Sequence, residues 1–341
     1  MGNVTGEVIV SGTGLAFSVD REDASFTAAS DDRTSVRAVG GRIEVDGVPW
    51  IEPAVRFRAF PPNAAGSLSA PLRAGNFEVR GDVVIRAEGG SLQLINVIAL
   101  EEYLAAVLGS EMPSHFPEEA LKAQAVAART YALHKKLEAF DQPYHLGSSV
   151  LHQVYGGLRS EDARTRAAVD ATRGEVLTWE LQPIEAYFHA ACGGHTEEGL
   201  PALSRELPYL TSVSCPCGST PASRWQTTIP AREIAEALGT TRPGDLKVEA
   251  RTRTGRVESL RAGARLIDAV TFRRKLGYTR IKSLDFEVSR LGSDALRFVG
   301  RGQGHGAGLC QWGARILAME GRSYREILAH YYPGTELQIL Y

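Results

Sequence analysis

No run of apolar residues in this chain is long enough to cross a bilayer. No excess of one charge marks it for a polyanionic partner either. Lys and Arg number 38 against 40 Asp and Glu, a formal net charge of −2, which gives no footing for nucleic acid or an anionic membrane surface. The amino terminus, MGNVTGEVIVSG, lacks a basic region followed by an apolar one and reads as carrying no signal peptide. A cytosolic protein and an already trimmed exported one fit that text equally. There is no internal repeat and no low-complexity tract. Cysteine is scarce, at 4 in 341 residues. Glycine is the exception, with 35 residues, about one in ten. It favours many turns and backbone that approaches another group closely.

Residues 1–95 read as a β-rich lobe. Short runs such as Glu7–Val10, Arg42–Val45, Phe77–Arg80 and Leu92–Ile95 alternate apolar and polar residues between Gly, Asn and Asp. PPNAAGSLSAPL, residues 61–72, reads as a loop and an internal seam. Helical spacing starts at Ala99, with Leu100, Leu104, Val107 and Leu108, and this helix should fray near Gly109. A second, longer helix should open at Phe116-Pro117-Glu118-Glu119 and run to about Phe140, with Pro and acids suited to its first turn. A third is expected over 161–172 with Ser160 as N-cap. Strands are expected at 176–179 and 185–190. A short helix at 230–239, a hairpin turning near Gly255 and two C-terminal helices follow. The fold class is therefore α+β: the β-rich lobe, then a mixed core over 96–341 with the long helix beneath a substrate cleft. Residues 220–270 read as a small inserted lobe.

Glu111 stands at the junction of the first two helices, in GSEMPSHFPEE. A carboxyl near a helix C-terminus faces the negative end of the dipole, a placement suited to an acid that must hold its proton. Simple helix punctuation explains it equally well. Along the second helix Lys122, Arg129 and Lys136 recur every seven residues and share one face, which by spacing alone reads as a solvated cationic stripe. Gln124 and Tyr131 lie on another face.

Two histidine-bearing stretches follow: YHLGSSVLHQVYGG, with His145, His152, Gln153 and Tyr155, and YFHAACGGHTEE, with Tyr187, His189, Cys192, Gly193, Gly194 and His195. Cys215-Pro216-Cys217 comes next. Cys192, Cys215, Cys217 and His195 suit a Cys3His zinc site, and a disulfide from Cys192 to Cys215 or Cys217 suits an exported protein equally. In GRGQGHGAGLCQWGA, residues 300–314, glycines alternate around His305. The spacing excludes a Walker phosphate loop. It would let backbone approach a bulky substrate at Gly304 and Gly306, with His305 and Gln311 free to bond hydroxyls or amides.

Taken in order, LEEYLAAVLGSEMPSHFPEEALKAQAVAARTYAL, HQVYGG, AYFHAACGGHTEE, PYLTSV, GRGQGHGAGLCQWGA and YREILAHYYPGTEL resemble the family of the stage II sporulation protein D (SpoIID) and the LytB-type amidase enhancer. The resemblance covers roughly residues 75–341. It implies a cell-envelope or extracytoplasmic protein acting on peptidoglycan glycan strands, either as a lytic transglycosylase or as a non-catalytic enhancer of an N-acetylmuramoyl-L-alanine amidase. The Glu of SEMP carries the catalytic role onto Glu111, and the Arg of AARTYA carries a substrate-binding role onto Arg129. Gln124, His152, Gln153, Tyr155, Tyr187, His189, Gly193, Gly194, Gly304, His305, Gly306 and Gln311 would line the substrate. No cofactor is expected for the chemistry; a structural zinc at the cysteines stands level with a disulfide. Two departures stand out. Gln303 replaces a family Trp and Cys310 a family Ser. The zinc site that some members build from His and Cys before QVY is expected to be absent or degraded here, since His145 and His152 have no Cys beside them.

Overall fold

Alternating apolar residues in the first hundred positions put Val8 and Val10, Ile43 and Val45, Leu92 and Leu94 on one side of their strands. Such strands are stable only when that side is covered, and here two sheets cover each other. The computed structural model describes residues 1–21, 23–61, 70–148, 153–239 and 246–341. It divides into two units, one of residues 1–115 and 132–173, the other of 116–131 and 174–341.

In the first unit two six-stranded antiparallel sheets share one apolar core. One runs Gly2–Val4, Ser91–Val97, Asp82–Glu88, Ala54–Ala59, Leu15–Val19, Thr27–Ala28; the other runs Phe77–Arg80, Pro71–Ala74, Glu7–Ser11, Arg33–Val39, Arg42–Val45, Val48–Trp50. Phe57 and Ile85 from the first and Val10 and Val36 from the second are fully buried in that core. Most of the loop expected at 61–72 lies outside the described residues.

Helix α1, Leu100–Glu111, follows the last strand, and α2 is Glu118–Glu138. The third helix, α3, is Ala163–Ala171. Its N-cap is Asp162, whose side chain accepts the Arg164 amide at 2.8 Å, and not Ser160, which ends a tight turn over Gly157–Ser160. The shorter carboxylate two residues on satisfies an exposed helix donor. Arg80 and Arg166 both bond Glu161, joining the sheet edge to α3.

In the second unit Glu175–Trp179 pairs with Gln182–Pro183 and Glu336–Ile339, and Phe188–His189 pairs in parallel with Leu309–Cys310. The strand expected at 185–190 is thus only these two residues. Two further three-stranded antiparallel sheets and the helices Ala231–Leu238 and Ala269–Leu276 surround their own core, which includes Trp225, Ile234, Leu260, Phe272, Phe286 and Phe298. The chain ends in helices Gln311–Met319 and Tyr324–Tyr331 before its last strand. No helix among the described residues is long and apolar enough to cross a membrane.

Gly109 shows how tightly α1 is seated. A Cβ there would overlap the Ser160 carbonyl oxygen. Helix propensity alone would make Gly109→Ala stabilising by roughly 1 kcal/mol, but the overlap must push α1 off the turn, at a cost of about 1–3 kcal/mol. Gly109→Ala is therefore expected to lower the urea midpoint of unfolding; a raised midpoint would contradict this packing.

Candidate functional site

Glu111 is the last residue of α1 and is half-buried. Its Oε1 accepts the Val154 amide at 2.6 Å, a bond worth about 0.5–1.5 kcal/mol. The neighbouring residues of the QVYGG text anchor that amide. Gln153, fully buried, accepts from the Tyr103 hydroxyl at 3.0 Å. The Tyr155 ring stacks on Tyr103 at 5.2 Å, and its hydroxyl donates to Asn96 Oδ1 at 2.6 Å. The Gly156 amide donates to Ser110 Oγ at 3.2 Å. Gly157, at φ 66°, has Glu78 and Val79 where a side chain would sit. Segment 153–157 thus lies between the sheets and α1, and its Val154 amide meets the carboxyl. His152 lies outside the described residues.

The cationic stripe on α2 does not face solvent as a whole. Lys122 is half-buried and Lys136 exposed, while Arg129 has no accessible surface at all. Arg129 Nη1 donates to the Glu175 carbonyl at 3.2 Å, and the next residue, Thr130, accepts the Leu177 amide at 2.9 Å. These bonds tie α2 to the strand Glu175–Trp179. The substrate-binding role that the resemblance gives Arg129 thus falls on a guanidinium enclosed by the fold. Gln124 is equally buried, and neither its Oε1 nor its Nε2 has a protein partner.

Two imidazoles meet in the second unit. The rings of His189 and His305 lie 5.3 Å apart, edge to face, and Tyr187 approaches His305 at 5.8 Å. Tyr187 in turn meets Tyr131 of α2 at 5.5 Å. His305 Nδ1 accepts the Ala307 amide at 3.2 Å, so its proton is on Nε2, which donates to the Phe188 carbonyl at 2.9 Å. His189 Nδ1 donates to the Ala307 carbonyl at 3.0 Å, which leaves Nε2 as a buried acceptor with no protein partner. Gln311 Nε2 is a buried donor in the same condition. Buried polar atoms left without protein partners cost about 1–3 kcal/mol each, and they mark where a ligand's hydroxyl or amide would be welcome.

The alternating glycines let the backbone of this loop pack closely against its neighbours. A Cβ at Gly304 would lie 2.6 Å from His189 Cβ, one at Gly306 2.9 Å from Arg256 Nε, and one at Gly308 would overlap the Tyr187 carbonyl oxygen. Their positive φ values, 118°, 92° and 70°, add a second reason for glycine. At these three positions the close approach is to His189, Arg256 and Tyr187. Gly193 and Gly194, at φ 88° and 132°, turn the chain from Cys192 to His195, and Gly194 accepts the Cys215 amide at 2.8 Å.

Cys192, Cys215, Cys217 and Cys310 bring their sulfurs within 4.8 Å of one another, all buried. The fourth member is Cys310, a position read only as a departure from the family text. His195 instead meets the Thr254 carbonyl at 2.7 Å through Nε2. Three further contributors went unread. Glu185 accepts from Tyr187 and Arg205, the Tyr332 hydroxyl bridges Tyr187 and Leu309, and Arg256 donates to the Cys192 and His195 carbonyls. For Tyr332 the text HYYPGT was the available signal. For Arg256 there was none, since it comes from a hairpin distant in sequence.

Burial pushes His305 down to about 4, with Arg273 and Arg256 adding to the fall and the Phe188 carbonyl offsetting part of it. Burial likewise takes His189 well below its usual value, helped by His305. Both imidazoles are neutral near pH 7. Below about pH 6.5 the unfolded chain takes up protons that the native chain refuses, so stability falls as pH falls until the native pKa is reached. For His305 the displacement to about 4 corresponds to about 3 kcal/mol. His305→Asn is expected to flatten the pH dependence of the urea-unfolding free energy between pH 6.5 and 4 by roughly that amount; an unchanged slope would show that His305 is not held neutral.

A family model described as SpoIID, Stage II sporulation protein, matches residues 88–179, a stretch holding Glu111, α2 and QVYGG. The stage II sporulation protein D of Bacillus subtilis is 34% identical over 270 residues, 72% of this chain and 76% of that protein. Its counterpart in Bacillus amyloliquefaciens is 34% identical over 259 residues, 70% of this chain and 74% of that one. An amidase enhancer of Bacillus subtilis is 28% identical over 293 residues, 69% of this chain but 40% of the longer relative. By identity and coverage with these relatives, the chain belongs to the stage II sporulation protein D family.

Proposed function

We propose that this protein is a lytic transglycosylase of the bacterial cell envelope, cleaving the bond from N-acetylmuramic acid to N-acetylglucosamine in glycan strands stripped of their stem peptides. The observation that carries this reading is the Glu111 carboxyl, fixed at the end of α1 by the Val154 amide. Most glycosidases use two carboxyls; one is enough when the substrate supplies the second nucleophile. Glu111 in its acid form gives its proton to the glycosidic oxygen, and the bond from that oxygen to C1 of the muramic sugar breaks. The N-acetylglucosamine leaves with its hydroxyl restored. The oxocarbenium-like C1 is attacked by the sugar's own C6 hydroxyl, whose proton passes to the Glu111 carboxylate. The product end is 1,6-anhydro-N-acetylmuramic acid, and Glu111 returns to its starting form. His189 Nε2 as acceptor and Gln311 Nε2 as donor suit sugar hydroxyl and acetamido groups. Neutral imidazoles fit hydrogen bonding to an uncharged sugar.

A second reading is favoured by the relative named an amidase enhancer. On it, the protein binds glycan without cleaving it and stimulates an N-acetylmuramoyl-L-alanine amidase. Glu111→Gln separates the two. Incubated with denuded glycan strands, the variant is expected to lose anhydro ends by about 100-fold or more, read by mass spectrometry, while still binding glycan. Undiminished anhydro product from a folded variant would remove Glu111 from the chemistry. No anhydro product from the unaltered protein, with amidase stimulation intact, would establish the enhancer. Reducing ends in place of anhydro ends would show that water is the nucleophile.

Arg129 is a positioning residue on this reading. Arg129→Lys cannot reproduce the guanidinium's fork of donors. It is expected to lower the unfolding free energy by about 2 kcal/mol along with activity, whereas Glu111→Gln lowers activity alone. A loss of activity at full stability in Arg129→Lys would return Arg129 to direct substrate contact.

A further inference from the structure

Four cysteines that lie far apart in sequence converge in the second unit. Cys192 follows the strand Phe188–His189, Cys215 and Cys217 flank the start of the tight turn Pro216–Ser219, and Cys310 caps the helix Gln311–Met319. We propose that these four sulfurs bind one structural zinc ion as thiolates, and that the metal clasps together the two segments that carry His189 and His305.

The sulfur spacing suits this ion. A zinc with four sulfurs at about 2.3 Å sets them about 3.8 Å apart along the tetrahedron's edges. Here all four lie within 4.8 Å, and Cys192 and Cys217 are 3.3 Å apart. A disulfide would need about 2.05 Å, and the four cysteines are free.

The hydrogen bonds point the same way. Cys310 Sγ accepts the Cys192 amide at 3.4 Å and the Gly313 amide at 3.3 Å. The Gly193 amide bonds Cys217, and the Tyr331 hydroxyl lies 3.2 Å from Cys215 Sγ. Donors converging on sulfur are what thiolates ask for, and they orient metal ligands from outside. Glycine at 313 completes the cradle, because a Cβ there would overlap both Cys215 Sγ and the Tyr331 hydroxyl. Four buried thiolates without a cation would repel one another and lack solvation; one divalent ion offsets half their charge. Tetrahedral all-sulfur sites are characteristic of zinc or iron, and the donor set leaves no open position for chemistry.

The connection to the imidazoles is short. His189 and Cys310 are paired partners in the parallel ladder, Cys192 lies three residues beyond His189, and Cys310 five beyond His305. Arg256, bonded to the Cys192 carbonyl, also packs against Gly306.

The full chain, purified without added metal and analysed by inductively coupled plasma mass spectrometry, is expected to carry about one zinc per molecule. Replacement by cobalt(II) should give the intense visible bands of a tetrahedral thiolate site. Cys310→Ser is expected to lower zinc retention about tenfold or more against a competing chelator, while His195→Ala keeps it. Should Cys310→Ser fail to fold, the unaltered protein still decides: unfolded with chelator and no reductant, it should alkylate at all four cysteines. Alkylation at none would show two disulfides and overturn the proposal. Iron in place of zinc would overturn it, as would zinc absent from the protein. Loss of zinc from His195→Ala with retention in Cys310→Ser would overturn the four-sulfur ligand set.

Discussion

The Val154 amide holds the Glu111 carboxyl at 2.6 Å, and much of the first unit is arranged to keep it there. An amide on a loop is a poor anchor unless the loop is itself fixed. Tyr155 does this by stacking on α1 and bonding Asn96 at the end of a strand. The same strand lies in the sheet whose burial, through Leu92, Leu94 and Ile85, supplies the unit's stability. The β-rich lobe is thus the foundation for a short segment that aims one side chain. On the proposed mechanism its contribution is rigidity, because a carboxyl that gives and then takes a proton needs a fixed position more than it needs a partner acid.

The second unit solves a similar problem by backbone proximity. Two residues of parallel ladder are a weak pairing on their own, yet His189 and His305 depend on it. Glycine lets the 302–308 loop lie against residues 187–192 so closely that main-chain atoms of Tyr187, Ala191 and Cys192 and the Cβ of His189 crowd the space a Cβ would take. Tyr332 then spans the gap with one hydroxyl, donating to the Tyr187 carbonyl at 2.6 Å while accepting the Leu309 amide at 3.2 Å. A four-sulfur metal site beyond the ladder's end would add a covalent-strength clasp where hydrogen bonds alone are few.

Much of this was legible in the sequence wherever local chemistry decides. The strands of the first lobe follow from period-two alternation, and α1 and α2 from spacing and from Pro117 with its following acids. The N-cap of α3 shifted by two residues because Ser160 and Asp162 both fit the rule, and only the tight turn before them selects one. Arg129 was misjudged as part of a solvated stripe because a seven-residue spacing tells which residues share a helical face, not what covers it. The glycines of 300–308 pointed to close approach, and close approach to protein neighbours is found there. Cys310 and Arg256 could not be placed beside Cys192, since more than sixty residues separate each from it and sequence carries no distance across such a gap.

The exchange of a family Trp for Gln303 is a useful limit on what the loop requires. Gln303 is exposed, and what fixes it is main chain: its amide donates to the Ala191 carbonyl at 2.6 Å and its carbonyl accepts the Ala191 amide at 3.0 Å. Neither bond depends on the side chain, so the aromatic was free to change without disturbing His189 or His305. Gly304, one position on, had no such freedom. The loop's scaffold therefore rests on its glycines and main-chain amides. On the proposed function, a polar amide at residue 303 in place of a stacking ring would exchange apolar contact with a sugar face for hydrogen bonding at its edge, while leaving the scaffold and the carboxyl of Glu111 as they are.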